Sequence, residues 1–209
     1  MFQAFDVDQW NRKDAYNLFK TYEDPLFNIS AYLDATALHA FCKREGFSFH
    51  LALLFYSTKT ANETLEFKLR NLDSSLVLFD TIHCGSTILH DDHTFSFCYF
   101  KLTDSMASFD EQGKQLIRQN LEQKNFDPKH DDVGLIYYSA LPWISFTSIK
   151  HARKLSLNDS VPKIVFGKYF SEGNRLKLPI SVEVNHSLMD GYQVGKFLND
   201  LQDEIDSVR

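Results

Sequence analysis

The sequence predicts an α+β fold organised as one domain over residues 1–209. Three observations predict it. Stretches in which apolar and polar residues alternate recur along the chain, interleaved with stretches at helical period. No Pro/Gly/Ser-rich linker, internal repeat or low-complexity segment separates them. Hydrophobic residues make up 44% of the chain, 19 of them Phe, which is enough for one substantial core. Length alone would allow one domain or two; the lack of a linker selects one.

The elements follow in order. Asp8 is expected to cap a short helix containing Trp10, Tyr16, Leu18 and Phe19. Phe27, Ile29, Ala31 and Leu33 alternate as in a strand. A helix is expected over Thr36–Arg44, with Gly46 just past its end, where a left-handed residue commonly stops a helix. Ser48–Ala61 should form a second helix with Leu51, Leu54 and Phe55 on one face. Short strands are expected at Glu66–Arg70, Ser75–Ile82, Thr87–His90 and Thr94–Lys101. Ser105–Gln123 has helical character, and Lys124–Asp132 (KNFDPKHDD) is a polar loop. Gly134–Ser139, Ile144–Phe146, Lys163–Phe170 and Arg175–Val184 read as strands. Gly191–Ile205 closes the chain as an amphipathic helix with Val194, Phe197, Leu198 and Leu201 at helical spacing.

Composition excludes several classes of function. The net charge of -6 and a pI near 5.7 offer no basic stripe for nucleic acid. No apolar run approaches the roughly 20 residues that span a bilayer, and MFQAFDVDQW lacks the pattern of a signal peptide. Three cysteines, Cys42, Cys84 and Cys98, form no CxxC pair; a reducing, cytoplasmic setting is expected. His83, Cys84, His90, His93 and Cys98 crowd one region without the close ligand pair of zinc sites, and alternation along strands would send them to different faces, so no metal is expected. Phe95, Phe97, Tyr99 and Phe100 lack interleaved basic residues and suit a core or a pocket wall better than a base-stacking platform.

The chemistry concentrates in VEVNHSLMDGYQVGKF, Val182–Phe197. An alternating strand stops at Asn185-His186, and Asp190-Gly191 then opens the last helix. A histidine held at a strand end can act as a general base near neutral pH. Asp190 is placed to cap the helix and to pair with an arginine, and Gly191 eases the turn. About 0.03 chance matches to HxxxDG are expected in a chain of this composition, yet a lone short motif also fits an ordinary turn.

HSLMDG followed by YQVGKF resembles the HxxxDG signature of the chloramphenicol acetyltransferase family. ALPWISFTS (Ala140–Ser148) resembles the family's Pro-Trp strand ending in serine. GKYFSEGNRLKLPISVEV (Gly167–Val184) resembles the strand pair leading to its histidine, and QWNRKDAY (Gln9–Tyr16) its N-terminal helix. The resemblance implies a two-layer sandwich of a mixed β-sheet and helices. It implies transfer of an acetyl group from acetyl-coenzyme A to a hydroxyl of a small molecule, with chloramphenicol a candidate acceptor and antibiotic resistance a candidate role. His186 would be the general base. Ser148 would stabilise the oxyanion, Asp190 and Arg12 would form a structural ion pair, and Lys168 and Tyr169 would contact coenzyme A. No cofactor would be bound permanently; acetyl-coenzyme A is a co-substrate. The working form would be a homotrimer with active sites at its interfaces.

Two positions depart from the antibiotic-acetylating enzymes. Asn185 stands where they have a second histidine, and Val165 where they have a threonine. EDPLFNIS (Glu23–Ser30) is closer to the broader chloramphenicol-acetyltransferase-like O-acetyltransferases. The reaction type therefore transfers while the acceptor stays open. Two other readings remain: a non-catalytic relative that binds coenzyme A or another ligand, and acyl transfer to dihydrolipoamide, which would normally come with lipoyl and subunit-binding segments.

Overall fold

The computed structural model of the protein describes residues 1–73, 75–129, 132–153 and 159–208. Ten strands and five α-helices run in the order β1 (Phe2–Ala4), α1 (Lys13–Phe19), β2 (Leu26–Asp34), α2 (Thr36–Glu45), α3 (Phe49–Glu63), β3 (Leu69–Leu72), β4 (Ser75–Phe79), β5 (His83–Leu89), β6 (Phe95–Phe100), α4 (Met106–Gln123), β7 (Leu135–Leu141), β8 (Lys163–Gly167), β9 (Phe170–Glu172), β10 (Arg175–Asn185) and α5 (Gly191–Asp206). Side chains set several boundaries. Ser48 caps α3 by accepting the Leu51 amide, Ser105 caps α4 through Ser108, and Gly46 ends α2 at φ 74°.

The main sheet has the order β2-β10-β8-β7-β5-β6, with β9 also paired to β10; β5–β7 and β7–β8 are parallel and the other pairings antiparallel. A second sheet, β1-β4-β3, lies beside it. The fold is thus a mixed sheet layered with helices, as expected. The helical layer packs on α3, which contacts α2, α4 and α5. Ten residues of α3 are buried, Ser57, Thr58 and Thr60 among them, so it is enclosed on most sides, as a helix at the centre of a layer is. One hydrophobic cluster links this layer to the sheet through Ile136, Ile164, Val182 and Val184. Arg70, fully buried, donates to the carbonyls of Phe67, Leu69, Val133 and Leu135 and so fastens the small sheet to β7.

The register fixes what faces away from the helices. Residues directly opposite one another share a face. One row across the sheet is Tyr99, Gly85, Tyr137, Lys163, Glu183, Asn28; the next is Phe97, Thr87, Ser139, Val165, Ser181, Ser30. Glycine is required at Gly85, since a Cβ there would lie 2.9 Å from the Tyr99 ring.

Several expectations are corrected. The cap before Trp10 is Asp6, which opens a 3₁₀ turn at Val7–Gln9; Asp8 instead pairs with Lys13, and α1 begins only at Lys13. Leu65–Lys68 is a 3₁₀ turn rather than strand, because β4 offers partners only from Leu69 onward. Strand β4 stops at Phe79, and β5 starts earlier than expected, at His83. Ile144–Phe146 is not a strand. β7 ends at Leu141, the Ile144 amide turns back to its carbonyl, and the segment touches the sheet edge through single bonds such as Ser145 Oγ to Lys168 O rather than a ladder. β1 was not anticipated: three exposed residues carry no period. His130 and Asp131 of the expected polar loop lie outside the described residues.

Candidate active site

β10 is an inner strand, flanked by β2 and β8, and His186 follows its last residue. The His186 amide donates to Pro25 O at 2.7 Å, which ties the strand end to the residue before β2. Asn185 builds the turn. Its Oδ1 accepts the Ser187 amide at 2.9 Å and the Ser187 hydroxyl at 2.7 Å, and its carbonyl accepts the amides of Leu188 and Met189. Its Nδ2 donates to Asp159 O at 3.0 Å, so this fully enclosed amide is satisfied at both ends. Asp190 then caps α5, accepting the Tyr192 amide at 2.9 Å, while Gln193 reaches back to the Asp190 amide at 3.0 Å.

Arg12 locks this turn from the N-terminal segment. Its guanidinium pairs with the Asp190 carboxylate and donates to His186 O at 3.3 Å, and it lies over the Trp10 ring at 5.7 Å. Burial would push the Asp190 carboxyl up. The Tyr192 amide, the Arg12 partner and the nearby His186 outweigh burial and hold it below the ordinary carboxylate range. The His186 ring stacks on Phe19 with centroids 3.8 Å apart and planes 8° apart, and tilts against Phe27 at 4.7 Å. Nδ1 is buried without a partner among the described residues. The imidazole, itself only partly buried, is therefore held by two aromatic rings and by its own backbone.

Ser148 is exposed in the connection after β7, and none of the described hydrogen bonds links it to His186. Lys168 and Tyr169 lie between β8 and β9, where they line a cavity of about 350 Å³ with Phe49, His50, Leu53 and Pro142. The Tyr169 ring meets His39 and Phe49 edge-on. Burial brings the His50 imidazole down to about 4, so it is neutral near pH 7. Val165 is fully buried. His83 and His90 are each occupied locally: His83 Nδ1 accepts the Leu102 amide, and His90 Nε2 meets Ser96 Oγ at 2.8 Å. Burial pushes the Cys84 thiol to about 12 and that of Cys98 to about 11, which leaves both un-ionised.

Sequence reasoning missed a charged cluster on the face away from the helices. Arg153 Nε donates to Glu183 at 2.6 Å and NH1 to Asp159 at 2.7 Å, and the His151 amide reaches Glu183 at 3.5 Å. Arg153, Glu183 and His151 border a cavity of about 370 Å³ that also includes Phe27, the residue against the His186 ring. The available signal was Glu183 itself, a carboxylate inside the apolar run Pro179–Val184.

Comparison with known proteins follows the same outline. The model of a family described as chloramphenicol acetyltransferase matches residues 1–202. A chloramphenicol acetyltransferase from Proteus mirabilis is 28% identical over 202 residues, 96% of this chain and 93% of that protein. One from Staphylococcus aureus is 29% identical over 205 residues, 97% and 94%. A solved chloramphenicol acetyltransferase superposes with a TM-score of 0.87 at 27% identity, covering 98% of this chain and 100% of that one. A dihydrolipoamide acetyltransferase of Azotobacter vinelandii shares the fold, with a TM-score of 0.69 at 16% identity over 94% of this chain and 87% of that one.

Proposed function

The chain belongs to the chloramphenicol acetyltransferase family, and from that premise we propose that His186 is the general base of acetyl transfer to a hydroxyl. The protein is an acyltransferase, with acetyl-coenzyme A as its co-substrate. The observation that carries the residue assignment is the clamped imidazole: His186 between Phe19 and Phe27, its carbonyl and the Asp190 cap both held by Arg12, the residue only partly buried.

Nε2 removes the acceptor's hydroxyl proton as the oxygen attacks the thioester carbonyl. The tetrahedral intermediate carries an oxyanion, and the Ser148 hydroxyl, presented by a neighbouring copy, donates to it. Collapse breaks the C–S bond; the departing thiolate takes the proton from the imidazolium, leaving acetylated product, free coenzyme A and neutral His186. Lys168 and Tyr169, with the cavity they border, receive coenzyme A. The acceptor is a small hydroxylated molecule, and the names of the relatives make chloramphenicol the first to try. Among the described residues no helix is long and apolar enough to cross a membrane.

The test is thiol release from acetyl-coenzyme A with chloramphenicol and a panel of hydroxylated compounds. Folded His186→Ala should lose roughly 10²–10⁴ in rate. Turnover near the wild-type level in that variant would sink the assignment.

A further inference from the structure

We propose that a second cavity on the face away from the helices, bordered by Lys163, His151, Tyr137 and Phe97, is a subsite for a carboxylate carried by the hydroxyl acceptor. The proposal rests on the acetyl-transfer reading of His186 and narrows its substrate class from small alcohols to hydroxy acids.

The cavity measures about 250 Å³. The row that contains Lys163 places it directly between Tyr137 on β7 and Glu183 on β10. A lysine in that row spends charge on a face whose other described groups are aromatic, hydroxyl or already paired. Arg153 is such a paired group, engaged by both Glu183 and Asp159. Lys163 is different. Its Nζ donates to the Ala152 carbonyl at 3.0 Å, and among the described residues no carboxylate pairs with it within 4 Å. An ammonium has three donors, and the Ala152 carbonyl is the one hydrogen-bond partner of Lys163 Nζ among the described residues. Asp159 and Glu183 act on it only at longer range, and burial outweighs them in lowering its proton affinity.

His151 supplies the second element. It borders this cavity and also the one that includes Phe27, whose ring lies against His186. Its Nε2 is buried with no partner. A buried polar atom without a partner is costly unless a ligand satisfies it. Burial, with the charges of Lys163 and Arg153, holds this imidazole neutral near pH 7 against the opposing pull of Glu183. A neutral imidazole can donate to a carboxylate oxygen while Lys163 balances its charge. Phe97 and Tyr137 offer apolar surface for the body of the molecule, as pockets with few, placed polar groups do.

The experiment compares 4-(hydroxymethyl)benzoate with its methyl ester as acceptors, in wild type, Lys163→Met and Lys163→Gln. Wild type should prefer the carboxylate by about tenfold or more in kcat/KM, and both variants should bring the ratio close to one. Preference for the ester in wild type, or an unchanged ratio in both variants, overturns the proposal. A rise in KM for acetyl-coenzyme A without a change in the ratio also overturns it, since Lys163 would then meet a phosphate of the co-substrate. If neither compound is acetylated, calorimetric binding of the benzoate still decides. Binding weakened about tenfold in both variants keeps the subsite while removing the acetyl-transfer reading for these acceptors. Equal binding in all three proteins removes the subsite.

Discussion

Asp190 carries two duties with one carboxylate. It caps α5 through the Tyr192 amide and neutralises Arg12, which in turn holds the His186 carbonyl. The substitutions separate these duties. Asparagine caps a helix about as well as aspartate, so Asp190→Asn should remove the counter-charge and keep the cap, while Asp190→Ala loses both and should be about 1 kcal/mol less stable than Asp190→Asn. Both should lower acetyl-transfer activity by loosening the histidine turn. The folded-state proton affinity of Asp190 is lowered. Its contribution to stability is therefore fully present above the ordinary carboxylate value near 3.9 and is lost as pH falls through the lower folded value. The contribution is modest, because the Asp190 side chain is 39% exposed and solvent screens the pair. Urea unfolding of Asp190→Asn from pH 6 downward should show a shallower loss of stability below about pH 4. A curve parallel to wild type would mean that the carboxylate carries no such role.

The connection after β7 is fastened in part by an enclosed ion pair. It leaves the sheet at Leu141, carries Ser148 exposed, and is fastened at Arg153, whose side chain and that of Glu183 are 3% and 4% exposed. A pair so enclosed is costly to break singly, by about 3–5 kcal/mol, because the survivor keeps its charge without a partner. Asp159 still holds Arg153 when Glu183 is removed, so the two single changes are unequal. Arg153→Met should be the more damaging, and Arg153→Met with Glu183→Gln should recover part of the loss. Thermal unfolding of the four proteins measures this cycle. If Ser148 acts from this connection, Arg153→Met should also lower kcat more than it raises KM for acetyl-coenzyme A. Additive losses in the double variant would show that the pair does not couple.

At the scale of the molecule, no described hydrogen bond joins His186 to Ser148 within one chain. His186 follows β10, and Ser148 stands exposed in a connection that also leaves Trp143 and Ile144 exposed, at 63% and 56%. A ring of three copies would bring the serine of one chain to the histidine of the next, through two different faces of each. Mixing His186→Ala with Ser148→Ala subunits, each nearly inactive alone, should then restore part of the activity, because some interfaces hold both intact residues. No recovery on mixing, or a monomeric mass at working concentration, removes the trimer and the shared site together.

Local chemistry determined most of the secondary structure. Alternation revealed β2, β6 and β10; Ser48, Ser105, Asp190 and Gly46 marked helix ends; and HxxxDG was legible because a turn and its cap are written in consecutive residues, while its partner Arg12, far away in the chain, came only through the family resemblance. Legibility failed where neighbours in space decide. Asp6 rather than Asp8 caps the first turn because Lys13 occupies Asp8. Ile144–Phe146 alternates like a strand but has no strand beside it to complete a ladder. Lys163, Glu183 and His151 look unremarkable in sequence, each a single polar residue beside apolar ones. Only the sheet register sets Lys163 beside Tyr137 and Glu183, and only the returning connection brings His151 over them, because strand pairing joins residues distant in the chain by backbone hydrogen bonds that no local pattern encodes.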